Sequence, residues 1–436
     1  MKLRETLGKL FDQFLISQRV LLFLLVLCLS TSSAFAKNER KAELSNLVVI
    51  GDSLSAGFQN GSLLDVQQVH GFASLIAAQA QVQLPLPLIA FPGIPNVITN
   101  VSLGPPPVIQ MAPGVSAGRT NPQVQPMNLA VPGATVQDAL TTRPTCIPGS
   151  ATMTDLVLGL PAPCLGLGPP LSQVEWAEAL HPTTVIVWLG SEDALKAVFS
   201  GTTAALTPPS SFATEYAEVM VRLAGTGAKL VTANVPDVTD IPYLTSASVA
   251  ANLFGVPLQQ FPLFLFKLGI GPADLLTPDA LALIGPILLN QIAGPLPTNI
   301  VLDATEILAI RSTTQAYNEI IANQAEARGA ALVDIAALYK SIKAKGVVVG
   351  GQRLTVDLYG GIFSLDGIHP TNTGFAIIAN EFINALNTTF AAGIPPLPVR
   401  QVQKDDPLVF SGVGHPASAL GVISPKIVQS VRSVLQ

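Results

Sequence analysis

Five short apolar runs, rich in β-branched residues, punctuate the chain: LVVIG (Leu47–Gly51), QPMNLAV (Gln125–Val131), TTVIVWLG (Thr183–Gly190), KLVTANV (Lys229–Val235) and ALVDI (Ala331–Ile335). Their apolar residues are consecutive rather than alternating, which predicts strands covered on both faces. Helical spacing of apolar positions fills most of the gaps. SQVEWAEAL ends near Leu180, SFATEYAEVMVRLAG ends near Gly225, a third helix covers Thr305–Arg328 and a last one Thr371–Leu386. Strands alternating with helices predict an α/β fold, with a parallel sheet of about five strands between two helical layers. Ligands of such sheets bind beyond the carboxyl ends of the strands. GDSLS, GSED and PDVTD occupy three of those ends.

Two stretches break the alternation. Residues 84–122 are rich in Pro and Gly without periodicity and predict a long surface insertion. Residues 241–300 are strongly apolar, but Pro and Gly interrupt LFGVPLQQFPLFLFKLGIG and DALALIGPILLNQIAG, so neither predicts a membrane span. A helical subdomain packed on the main core and an apolar cap that receives acyl chains are both open readings of 241–300. From Ala391 to residue 436 the pattern is that of a tail, which leaves 37–390 as the main domain.

A mean hydropathy of +0.49 is high for a soluble chain and raises the question of a membrane. The N-terminus gives one answer. Lys2, Arg4, Lys9 and Arg19 precede LLFLLVLCLS, and Ala34 and Ala36 then frame an A-x-A site. This is the pattern of a secretory signal over residues 1–36, cleaved after Ala36, with an apolar run too short to span a bilayer. Leu27 before Cys28 argues against a lipoprotein signal. The expected destination is the periplasm or the exterior, with no stable span after cleavage. Losing four basic and two acidic side chains takes the formal net charge from −5 to −7. That balance offers nucleic acid no electrostatic footprint. Of three cysteines, Cys146 and Cys164 remain, and an oxidising compartment predicts a disulfide between them. Closing that loop would stabilise the fold by about 3 kcal/mol. No C-x-x-C pair or H-E-x-x-H helix calls for a metal, and no P-loop or G-x-G-x-x-G follows a strand.

Gly114-Val115-Ser116-Ala117-Gly118 matches G-x-S-x-G, but prolines follow it and no strand feeds it, so Ser116 lies in a loop and is set aside. Ser53 stands between a strand and a helix start. There it is either a nucleophile or, with Asp52, a helix cap. Among four histidines, His70, His181 and His415 have no motif around them. His369 follows Asp366 in SLDGIHPTNTG just before the last helix. A nucleophilic hydroxyl needs a base within hydrogen-bond reach and a third group to orient that base, and Asp366 and His369 on one turn can supply both.

Taken together, GDSLSAGF, NLAVPGAT and SLDGIHPTNTG resemble three of the four sequence blocks of the GDSL (SGNH) serine hydrolases, in the family's order. The resemblance covers Leu47 to Phe390. It implies a flavodoxin-like three-layer α/β/α fold and hydrolysis of carboxylic esters or thioesters, of lipase or esterase type, without a cofactor. The implied partner is a small-molecule or lipid ester. Ser53 matches the nucleophile, Asp366 and His369 complete the triad, and the N–H groups of Ser53 and Gly133 match oxyanion-hole donors. The third block departs from the pattern. Gly190-Ser191-Glu192-Asp193 stands where the family has G-x-N-D, so Glu192 replaces an oxyanion donor. An ionised carboxylate donates nothing and repels the developing charge. Three outcomes are open: Glu192 is held protonated by burial, it points away and leaves the backbone N–H groups with a serine hydroxyl or water, or catalysis is weakened. A carbohydrate deacetylase or acyltransferase, and a binding protein on the same scaffold, are the alternatives to an esterase.

Overall fold

Alternate positions along three of the four sheet strands feed two different cores. The computed structural model describes residues 43–102 and 108–409. Its central sheet has four parallel strands, β1 (Leu47–Gly51), β2 (Thr184–Trp188), β3 (Lys229–Ala233) and β4 (Ala331–Val333), in that spatial order. Leu47 pairs with Thr184, Thr184 with Lys229, and Val231 with Ala331. Around the sheet pack α1 (Ser53–Ala56), α2 (Phe72–Gln79), α3 (Gln173–Ala179), α4 (Ser191–Ser200), α5 (Pro209–Gly225), α6 (Ala304–Arg328), α7 (Ile335–Lys345) and α8 (Asn372–Phe390).

On one face Val49, Ile186, Trp188, Val231 and Val333 meet Phe72 of α2 and Phe375 and Phe382 of α8. Phe72 and Phe382 stack with centroids 4.6 Å apart. On the other face Val48, Ile50, Val185, Val187 and Leu230 meet α3, α5 and α6. There Phe212 of α5 stacks on Tyr317 of α6 at 4.1 Å. Each fully buried aromatic of this kind contributes about 3 kcal/mol. The long α6 starts at a capping box, Asp303 and Glu306 each accepting the other's backbone N–H, and ends at the left-handed Gly329.

The sheet has four strands rather than about five. Residues 125–131 do run parallel beside β1: Val49 N–H donates to the Met127 carbonyl (2.9 Å), and Leu129 N–H to the Val49 carbonyl (2.8 Å). Only one bridge, Val49 to Asn128, is regular. Pro126 within the segment and Pro132 just after it have no N–H to extend a ladder. Counting this segment, the five runs lie in the order 2-1-3-4-5, the flavodoxin-like order, whose crossover direction switches between β1 and β2.

The interrupting stretches have structure of their own. Within 84–122, Ile98–Ser102 pairs antiparallel with Val108–Met111. Residues 241–300 contain helices Ala247–Leu253, Phe261–Leu268 and Pro278–Leu288 and strands Thr245–Ser246 and Leu275–Leu276, the latter pairing with Val301–Leu302. Phe254, Phe264, Leu281 and Ile284 give this subdomain a separate core. Residues 391–409 pack on the main domain: Asp406 Oδ2 accepts both the N–H and the hydroxyl of Thr373 at 2.7 Å, at the start of α8. Cys146 and Cys164 are joined, with an S–S distance of 2.07 Å. Among the described residues no helix is long and apolar enough to cross a membrane. The expected signal, Cys28 and His415 lie outside the described residues.

Candidate active site

β1 delivers the chain to Asp52, whose Oδ1 accepts the Leu54 N–H at 3.0 Å and caps α1. The capping role therefore falls to Asp52, and Ser53 is left with its hydroxyl free to face the turn before α8. His369 Nε2 lies 2.8 Å from Ser53 Oγ, and His369 Nδ1 lies 2.9 Å from Asp366 Oδ2. Burial alone would raise the Asp366 carboxyl, but the neighbouring imidazole and the N–H groups of His369 and Ile368 outweigh it and hold the carboxyl below its ordinary value. An ionised Asp366 only accepts, so Nδ1 carries the imidazole proton and Nε2 is left to accept from Ser53. Phe58 packs on the imidazole with centroids 4.8 Å apart.

The turn that carries Asp366 and His369 is clamped by the loop after α1. Gly61 N–H donates to Asp366 Oδ2 (2.7 Å), Asn60 N–H to Ser364 Oγ (3.0 Å), and Leu365 N–H to Asn60 Oδ1 (3.0 Å). Gln59 Nε2 donates to the Pro370 carbonyl at 3.0 Å. Ser53 and His369 thus sit on two segments stitched directly together. Sequence reasoning missed these residues; only their place just after GDSLSAGF could have pointed to them.

Gly133, in the turn after the segment beside β1, lines a small pocket with Val131, Asp138 and Gln173 that includes neither Ser53 nor His369, whereas Glu192, at the start of α4, lies close enough to Asp52 and His369 for their charges to interact. Neither the Ser53 N–H nor the Gly133 N–H has a hydrogen-bond partner among the described residues. Gly133 has φ +83° with open space where a Cβ would be, so glycine is needed there for conformation and not for room. Gly190 needs both: φ is +115°, and a Cβ would lie 2.9 Å from Val235 Cγ2. Asp193 ties the two blocks together, accepting the Val136 N–H (3.1 Å) and the Thr207 hydroxyl (2.7 Å). Asn128 donates to the Ser55 carbonyl at 2.8 Å, and Gln173 Oε1 accepts the Gly51 N–H at 2.9 Å. Both hold the Ser53 turn in place, and neither was singled out from the sequence.

Glu192 is buried and has no hydrogen-bond partner among the described residues. Burial raises its carboxyl above the ordinary value, against the pull of His369 and Lys196. Asp52, fully buried, is raised further, first by burial and then by Glu192. Asp52 Oδ2, Ser55 Oγ and Ser191 Oγ are buried without partners among the described residues.

Ser53, Ser191 and His369 open into a cavity of about 360 Å³. Leu54, Leu195, Val235, Val238 and Phe363 make much of its wall, and α6 and α7 line its far end. There Arg311 bonds Asp237 (2.8 Å) and Asp240 (3.1 Å), and Lys343 also contacts Asp240. Of the apolar stretch 241–300, only Ile241 reaches the cavity. Its helices line their own core, which answers to the subdomain reading rather than the cap. Ser116 donates to the Ala90 carbonyl at 2.8 Å, in a loop away from the cavity. His70 and His181 do not line it either.

The sequence profile of the GDSL-like lipase/acylhydrolase family matches residues 47–382, and the chain belongs to that family. No curated protein matches it. Among solved structures, LAE5, an alpha/beta hydrolase from the metagenome of Lake Arreo, is similar at 14% identity and a TM-score of 0.37 over 80% of this chain and 99% of that one. Phospholipase A1 from Streptomyces albidoflavus NA297 is similar at 15% identity and a TM-score of 0.34, over 80% and 100%. An acetyl-xylooligosaccharide esterase from Geobacillus stearothermophilus follows at 11% and 0.36, over 80% and 96%. At these values the likenesses carry no argument about substrate.

Proposed function

We propose that the protein is a secreted or periplasmic serine hydrolase that cleaves carboxylic esters through an acyl-enzyme. One observation carries this reading: the continuous chain Ser53 Oγ, His369 Nε2, His369 Nδ1, Asp366 Oδ2, with contacts of 2.8 and 2.9 Å. His369 takes the Ser53 proton as the oxygen attacks the acyl carbonyl. The unengaged N–H groups of Ser53 and Gly133 receive the oxyanion. His369 then protonates the leaving alkoxide, and water repeats the sequence on the acyl-enzyme. The aliphatic wall beside Ser53 favours an acyl chain over a small acetyl group on a sugar. The N-terminal signal pattern and the Cys146–Cys164 bond support an oxidising destination.

Labelling with a fluorophosphonate, which reacts only with an activated serine, tests the reading together with turnover of short- and medium-chain aryl esters. Labelling and turnover in the mature protein, both lost in Ser53→Ala, are expected. An unlabelled wild-type protein that is folded would leave a binding role on a hydrolase scaffold, the reading to which Glu192 lends itself.

A further inference from the structure

We infer that the Ser191 hydroxyl is the third oxyanion-hole donor, standing in for the side-chain donor that Glu192 cannot supply when ionised. The inference rests on the hydrolase reading above and concerns the same site.

Ser191 is the first residue of α4, just past the carboxyl end of β2 and across the switch point from Ser53. It lines the same cavity as Ser53 and His369. Its side chain is almost wholly buried, 2% of the residue being exposed, and its Oγ has no hydrogen-bond partner among the described residues. A buried hydroxyl with nothing to bond in the resting protein calls for an explanation. A donor held in reserve for a charge that exists only during reaction provides one, because such a donor favours the transition state over the ground state. Two features make this place suit an anion. The ten-residue α4 directs its unpaired N-terminal N–H groups and the positive end of its dipole there. The Ser53 N–H, on the same cavity, is also unengaged among the described residues. Glu192, next in the chain, lacks a partner of its own and has no proton to give in its ionised form.

The step balances without any group beyond those named. Ser53 Oγ bonds to the acyl carbon, its proton passes to His369 Nε2, and the carbonyl electron pair moves onto oxygen. Ser191 donates a hydrogen bond to that oxygen and keeps its proton. As the tetrahedral intermediate collapses, the bond to the leaving oxygen breaks, His369 protonates that oxygen, and Ser191 is released.

The test compares Ser191→Ala and Ser191→Thr with wild type in the mature protein. Readouts are kcat and KM on aryl esters, the affinity of an alkyl boronic acid (which forms a tetrahedral adduct on Ser53), and the melting temperature. Ser191→Ala should lower kcat by about 10²-fold with KM nearly unchanged, as loss of one oxyanion donor does. Boronate affinity should fall in parallel, and Ser191→Thr, which keeps a hydroxyl, should recover most of both. Unchanged kcat in Ser191→Ala would overturn the inference. So would equal losses in Ala and Thr variants accompanied by a lower melting temperature, the mark of a structural role. A wild-type protein that fluorophosphonate does not label would instead defeat the hydrolase reading itself.

Discussion

On the His369 side of Ser53, both imidazole nitrogens have partners. Asp366 Oδ1 accepts the N–H groups of Ile368 and His369, each at 2.8 Å, and Oδ2 accepts from Gly61 and the imidazole. On the Glu192 side, Asp52 Oδ2, Ser55 Oγ and Ser191 Oγ are buried and unpartnered among the described residues, and Glu192 carries a carboxyl raised by burial. On the proposed hydrolase reading, the contrast follows from what each side must do. A general base has to be held in one tautomer and one orientation before substrate arrives, so its bonds are made in the resting protein. An oxyanion site has to keep donors unspent until charge appears, so its bonds are missing in the resting protein. Idle donors fit this account. An idle carboxylate does not, which makes Glu192 the residue on which the two sides truly differ.

The largest effects should come from breaking the finished side. Ser53→Ala or His369→Ala should lower kcat by about 10⁵–10⁶-fold, and the double variant by no more than either alone, because the pair acts as one unit. Asp366→Asn should cost about 10⁴-fold by losing control of the tautomer. Single-turnover and steady-state assays of the four variants check this. Additive losses in the double variant would mean that Ser53 and His369 do not act together.

An intermediate effect should come from loosening the clamp without touching the reacting groups. Asn60→Ala removes the acceptor for the Leu365 N–H, a contact of 3.0 Å. It should lower kcat by about 10-fold to 10²-fold through misplacement of His369. Stability should fall by about 1–2 kcal/mol, read by denaturant titration. A variant that loses stability but keeps full kcat would show that the clamp holds the fold and not the base.

The clamp also marks where the sequence stops being legible. The cluster of Ser53, His369 and Asp366 could be read because its parts lie in local blocks with local chemistry: a hydroxyl after a strand, and an acid and an imidazole on one turn. The partners of Asn60 and Gly61 lie 304 and 305 positions away, and no periodicity carries a pairing of that range. Asp193 was visible as part of the third block, but its hold on Val136 depends on how two helix starts meet. Strands β1 to β4 were legible because each is apolar on both faces. The run Gln125–Val131 is apolar at most of its other positions, yet Pro126 and Pro132 reduce it to a single bridge. Residues 241–300 were read correctly as apolar and helical, but apolar composition does not distinguish lining a ligand cavity from lining a private core. Only the packing of Phe254 and Phe264 decides that.

The smallest effect, and the sharpest on the comparison, concerns the protonation of Glu192. Burial raises its folded-state pKa above the ordinary value of 4.5, so the folded protein binds this proton more tightly than the unfolded chain does. The stability that Glu192 lends is therefore fully present below about pH 4.5 and is lost as pH rises through the folded-state value. Glu192→Gln, neutral throughout, should gain in melting temperature relative to wild type as pH rises through that window, with no further gain above it. Activity should follow the same course. The ratio of kcat in Glu192→Gln to that in wild type should climb with pH, by about tenfold, as an ionising carboxylate begins to oppose the oxyanion. A ratio and a melting difference that both stay flat from pH 5 to 9 would mean that Glu192 does not titrate there or does not face the oxyanion. The unfinished look of that side of the crevice would then have to be explained by Asp52 and Ser191 alone.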